Sequence, residues 1–249
     1  MDSKSTSTSE SKPDPDTSKI TRGEFQNWKS KTMGDPYSIW HDGLEVDWMK
    51  TLTGGAREEA LIMLHYGVEL GDSDCATALA AMGDVSAVPK IRNKFSESTD
   101  LAKVASTLAI HELVPDEALA GNLIDVLKNP LSSEIDATSM ARMKAAIGLR
   151  NFSGEASERA LLDAVEHDPA YLVRYHSYYG LISRWNVKLS SQEDDAIFKL
   201  ICLSSNRSSN NKTITAEDQA SLSEARQRLE KHRPMLLGTL EERSNPVSA

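Results

Sequence analysis

The chain has 249 residues, 39% hydrophobic and 26% charged, enough apolar material for one large domain or two small ones. Its net charge of −9 weighs against general nucleic-acid binding, which needs Lys and Arg to neutralise phosphates, and suits a basic protein partner. Two cysteines without metal-type spacing, Cys75 and Cys202, argue against a disulfide framework; no apolar run is long enough to span a bilayer, and Met1 to Lys19 lacks the apolar stretch of a secretory signal. These features predict a cytoplasmic protein with no membrane association.

Residues 1–20 hold Ser, Thr, Lys, Asp and Pro and no apolar side chain between Met1 and Ile20, so they are predicted to be a disordered tail. Residues 21–55 carry Trp28, Trp40 and Trp48 between the turn signals Gly34-Asp35-Pro36, His41-Asp42-Gly43 and Thr53-Gly54-Gly55. They are predicted to form an irregular aromatic N-terminal cap whose aromatics cover the open end of a helical stack. From Ala56 the helical period takes over, with Ala60, Leu61, Leu64 and Val68 on one face. Further helices are predicted over 73–82, 85–95, 99–113, 116–128, 137–151, 155–167, 169–185 and 190–203. Gly83 ends one and Asp84 caps the next, Asp168-Pro169 is a start signal, and Ser190 to Glu193 reads as a capping box. Residues 204–214 are a polar linker. The C-terminal helical region spans 215–240; its charge-rich helix opens at Thr215-Ala-Glu-Asp and stops at Pro234. The fold class expected is all-α, with no strand.

Three stretches repeat one pattern, a short helix with small residues on its buried side, a turn and a second short helix: 78–89, 101–113 and 168–182. Gly83-Asp84-Val85-Ser86-Ala87-Val88-Pro89 resembles the turn of HEAT-like repeats. Asp168-Pro169 followed by Leu172-Val173-Arg174 resembles the turn and helix start of the same family. With Ala105, Leu108, Ala145, Ala146 and Leu149 the resemblance covers about residues 72–203, and it implies a HEAT-like domain over 56–203: an α-solenoid of stacked antiparallel helix pairs. The middle unit departs from the pattern, since Leu131 to Asp136 is longer and lacks the Gly-Asp turn.

In such stacks the second helix of each pair lines the concave face. Here the second helices 116–128, 155–167 and 190–203 carry −2, −3 and −2, whereas the first helices 137–151 and 169–185 carry +3 and +2. The first pair breaks the rule, with Lys90, Arg92 and Lys94 on its second helix. Glu155, Glu158, Asp163, Glu166, Glu193, Asp194 and Asp195 are therefore expected to form an acidic ridge facing a partner. Beside it runs the densest aromatic and cationic cluster of the chain, from which Tyr171, Arg174, Tyr175, Tyr178 and Trp185 are the expected partner anchors, since Tyr, Trp and Arg dominate binding hot spots. The competing reading makes these tyrosines ordinary helix-packing residues with hydroxyls at the rim.

Catalytic chemistry finds little support. Six histidines include no pair at i, i+4 and no cysteine beside them, so no metal site is expected. No phosphate-binding glycine loop and no nucleophile-elbow motif occurs, no cofactor is implied, and Cys75 reads as a small core residue. The expected function is a non-enzymatic protein-binding module. Its resemblance to small bacterial HEAT-like proteins, including immunity proteins, implies an inhibitor that neutralises a basic toxin domain. The alternatives are a scaffold or adaptor, or a HEAT-like enzyme such as a bilin lyase or DNA glycosylase, the last opposed by the acidic face.

Overall fold

The computed structural model describes residues 15–37, 39, 44, 46–129, 135–202 and 214–234. Among them helix is the only regular structure, with twelve α-helices and four short 3-10 turns. The first compact unit, up to Gly148, holds α1 (Arg22–Thr32), α2 (Asp47–Lys50), α3 (Gly54–Glu69), α4 (Ser73–Ala81), α5 (Val88–Asn93), α6 (Asp100–Leu113), α7 (Ala120–Lys128) and α8 (Ile135–Gly148). The second, from Leu149, holds α9 (Glu155–His167), α10 (Tyr171–Arg184), α11 (Ser191–Cys202) and α12 (Ala216–Lys231). The boundary falls inside the span read from the sequence as one repeat domain.

In the first unit α4 packs on α3 and α6, α6 packs on α8, and α7 joins α6 to α8. Alanines make these approaches close: Ala76, Ala78 and Ala80 on α4, Ala109 on α6, and Ala141, Ala145 and Ala146 on α8 are all buried. Breaks between helices fall where the chemistry demands them. Gly71 and Gly83 end α3 and α4 with φ of +82° and +71°, which a β-carbon disfavours. Asp72 and Asp84 follow them and accept backbone N–H groups of the next turn. Pro89 then sits in the first turn of α5, where its missing N–H costs nothing.

Among the described residues of the N-terminal cap, the tryptophans are not the deepest side chains. Its fully buried side chains are Phe25 and Met49, while Trp28 and Trp48 are half-buried and Trp40 lies outside the described residues. Phe25 carries no polar atom, so it can be enclosed entirely; an indole N–H favours a site with one side wet. Phe25 meets the Tyr66 ring edge-on at 5.7 Å and lies over Gly67. Lys29 fastens α1 to the start of α4, with Nζ 2.5 Å from Asp72 and 2.9 Å from Asp74. Of the segment read as a disordered tail, residues 1–14 lie outside the described residues. Thr17 is placed, its hydroxyl donating to Glu69, which also pairs with Lys90 at 3.0 Å.

The polar pair His65 and Asp84 ties α3 to the turn before α5. The imidazole is fully buried, and its Nε2 lies 2.8 Å from Asp84 Oδ2, while Asp84 Oδ1 accepts from the Ser86 hydroxyl and N–H. The hydrogen bond to His65, supported by those from Ser86, lowers the Asp84 carboxyl to about 2.

In the second unit α10 is central, packed against α9, α11 and the 149–151 turn, while α12 lies against α9 and α11. The helix α12 opens at Thr215, where the sequence places its start, through a reciprocal capping box with Asp218. The Asp168-Pro169 start signal works otherwise than predicted. The cap position of α10 is Ala170, and Asp168 instead accepts from the Ala170 N–H at 2.8 Å. Both preceding carbonyls are turned onto Arg174, which moves the helix start two residues onward.

Two outcomes test this packing. A β-carbon on Gly67 would stand 2.3 Å from Cys75 Sγ and 2.8 Å from Phe25 Cζ, so Gly67→Ala should cost about 2–3 kcal/mol in urea unfolding. Asp84, with a native pKa of about 2 against an ordinary 3.8, contributes stability that is complete above about pH 5 and is lost as pH falls toward 2, about 2 kcal/mol in all. Unfolding free energies measured between pH 5 and pH 2 should fall less steeply for Asp84→Asn than for the natural chain.

Candidate functional site: an exposed aromatic face

The second unit is held together by two arginines of α10. Arg174 is 1% exposed; its Nε and Nη2 donate to the Ile201 carbonyl at 3.1 and 2.9 Å, and Nη1 donates to the carbonyls of Asp168 and Pro169 at 2.7 and 2.9 Å. Ile201 lies in the last turn of α11, where carbonyls lack helical partners and the helix dipole is negative, so a cation there satisfies both. Burial pulls the Arg174 guanidinium below its usual range, yet a guanidinium stays protonated in any protein. At the other end of α10, Arg184 donates to the carbonyls of Phe152, Ser153 and Gly154 ahead of α9 and faces Glu158 at 3.6 Å.

This arrangement corrects three of the expected partner anchors. Arg174 and Tyr178 are fully buried and Trp185 is 8% exposed, so none of them forms a contact surface. The helical spacing of Tyr171, Arg174, Tyr175 and Tyr178 does place them on one side of α10. That side meets α11 along part of its width, and the residues nearest the contact are enclosed. Tyr178 turns its hydroxyl to Asp194; burial first, and then this bond, push its phenol well above the ordinary tyrosine range.

Part of the expected acidic ridge is met by the chain's own α12 and by Arg233 just beyond its end. Arg226 Nη1 is 3.3 Å from Asp163 and 2.7 Å from Glu166, Arg228 Nη1 is 3.2 Å from Glu193, and Arg233 Nε is 2.6 Å from Glu158. Burial raises the Glu166 carboxyl, but hydrogen bonds from Ser223 and Arg226 outweigh it and leave the group lowered. Counting charge helix by helix could not reveal this, since the neutralising arginines lie far along the chain, Arg226 about sixty residues from its partners and Arg228 35 residues from Glu193. Glu155 is exposed and pairs with Arg159 on its own helix at 2.9 Å. Asp195 is exposed.

A different surface lies along α10 and α11. Tyr175 is half-buried, with Tyr179 at 4.7 Å and Phe198 of α11 at 5.7 Å, both edge-on. Tyr171, Leu172, Tyr179 and Phe198 are 44, 40, 38 and 43% exposed, a rare concentration of large apolar side chains on a surface. Tyr171 and Tyr175 were among the residues expected from sequence; Phe198 was not. Its sequence signal is faint but present: it stands off the buried Ile197 and Ile201 stripe of an amphipathic helix, one turn beyond Asp194 and Asp195.

Catalytic arrangements do not emerge among the described residues. His65, Asp84 and Ser86 are linked, but the hydroxyl meets the carboxylate and not the imidazole, so the order nucleophile, base, orienter is broken. Cys75 is buried against Gly67, and burial pushes its thiol well above the usual range, which keeps it an unreactive core residue. Among the described residues no group of three or more His, Cys, Asp or Glu is placed to hold a metal ion, and no helix is long and apolar enough to cross a membrane.

Replacing Arg174 by Met keeps its apolar stem but leaves three inward-turned carbonyls without their donor. Arg174→Met should lower unfolding free energy by about 3 kcal/mol, and Arg174→Lys should recover only part, because an ammonium lacks the planar fork. Chemical denaturation of the two variants checks both statements.

No family model, curated protein or solved structure matches this chain.

Proposed function

We propose that this chain is a non-enzymatic protein-binding module of HEAT-like solenoid type that docks a basic partner domain on the aromatic face of α10 and α11. The observation that carries this reading is the exposed cluster Tyr171, Leu172, Tyr175, Tyr179 and Phe198 with Asp195 beside it. Tyrosine supplies large contact area at small entropic cost, which suits it to a binding anchor. The net charge of −9 favours encounter with a basic surface. The succession of α4, α6 and α8, each packed on the next, supports the solenoid reading. The specific form of the proposal is an inhibitor that covers the active site of a basic toxin domain, as an immunity protein does.

The product of the adjacent reading frame is the first partner to titrate by calorimetry. Phe198→Ser and Tyr179→Ser should each weaken binding about thirtyfold, equivalent to about 2 kcal/mol, with an unchanged melting temperature. Asp195→Lys should slow association and flatten its dependence on salt. Variants that bind a basic partner as tightly as the natural chain would overturn the assignment of this face.

A further inference from the structure

The helix α12 lies against both α9 and α11. Of its sixteen residues only Leu222, Ala225 and Leu229 are fully enclosed, at spacings of three and four. Polar contacts at the rim surround these three. Arg226 meets Asp163 and Glu166, Arg228 meets Glu193, Arg233 meets Glu158, the Ser223 hydroxyl donates to Glu166 at 2.7 Å, and Gln219 donates to the Glu166 carbonyl at 3.2 Å. The surface beneath therefore reads as a recognition groove. It has an apolar floor between α9 and α11 and carboxylates on both banks, four of which meet arginines.

We propose that this groove is a binding site for an amphipathic helix of a partner protein with arginines along one edge, and that α12 occupies it as a resident competitor. The pattern the groove accepts is printed in the chain itself: Leu222-Ser-Glu-Ala-Arg-Gln-Arg-Leu229, with apolar residues at i, i+3 and i+7 and arginines at i+4 and i+6. That is the helix-in-groove mode, in which apolar anchors give affinity and flanking charges set register. The occupant must present cations along the edge that faces the groove, as α12 does with Arg226 and Arg228 although its acidic residues outnumber its basic ones, because Glu158, Asp163, Glu166 and Glu193 sit on the α9 and α11 side and a helix without those cations would lose the rim pairs seen here. Exchange is feasible because the rim pairs are partly exposed and three anchors are few; a short isolated helix is marginal, so α12 depends on the groove as much as it fills it. The site is separate from the aromatic face, and its test does not depend on that reading.

The test uses the full chain and a fluorescein-labelled synthetic peptide of residues 214–234. An occupied groove lowers apparent affinity by the fraction of time it stands open, so weakening the resident helix should strengthen the visitor. Anisotropy titrations should show the peptide binding the Arg226→Glu/Arg228→Glu chain at least about tenfold more tightly than the natural chain, and less tightly as salt rises. A peptide carrying the same two reversals should bind neither chain. Because the double variant could lose its fold, hydrogen exchange on the natural chain provides a second arm. The amides of α12 should exchange at least about tenfold faster than those of α10, through a local opening that leaves α9 to α11 protected. Equal affinity for both chains, absence of peptide binding, or α12 amides that open only with the whole unit would each overturn the proposal. Light scattering that finds a dimer which the peptide dissociates would assign the groove to a second copy of this chain and overturn the partner-helix version.

Discussion

The second unit depends on one buried guanidinium. Arg174 gathers three carbonyls that would otherwise face inward without donors, one from the end of α11 and two from the segment before α10. A helix end enclosed by its neighbours must find partners for its last carbonyls, and a fixed planar fork can serve carbonyls from two directions at once. The position of α11, and so of Phe198 and the acidic first turn, follows from this contact. Arg184 repeats the device at the far end of α10, where it collects the carbonyls that lead into α9. The helix that the sequence suggested as a sticky surface is therefore a structural strut along one edge and a candidate docking surface along the other.

Close approach has the same role in the first unit. Gly67 leaves room for Cys75 and Phe25, and the alanines of α4, α6 and α8 let successive helices sit near one another. Small residues buy this proximity at the expense of buried area per side chain, so the unit relies on shape more than on large hydrophobic groups. Polar pairs are placed where helices begin. Asp72 and Asp84 both cap a following turn and hold a basic group from an earlier helix, Lys29 in one case and His65 in the other. One carboxylate thus serves local and long-range order together.

Charge in the second unit is largely internal. Asp163, Glu166, Glu193 and Glu158 give α9 and α11 their acidic character, and Arg226 and Arg228 of α12, with Arg233 just beyond it, answer them. The excess of negative charge over the whole chain acts at longer range, where a field depends on net charge rather than on which carboxylates are paired.

The helices themselves were legible in the sequence, because their signals are local. Apolar period, capping carboxylates and left-handed glycines act within a few residues, and the predicted spans 155–167 and 99–113 match Glu155–His167 and Asp100–Leu113 to within a residue. The all-helical class followed from the same signals. What required tertiary structure was the fate of each helix face. Period places Arg174, Tyr175 and Tyr178 on one side of α10, yet only the packing of α11 decides that Arg174 and Tyr178 are enclosed while Tyr175 looks outward to Phe198. Likewise the charge of 155–167 is plain in the sequence, but its neutralisation by Arg226 is a contact across about sixty residues. Local geometry is set by bonded neighbours and short-range sterics; exposure is set by which distant helix arrives, and that depends on the summed packing of the whole unit.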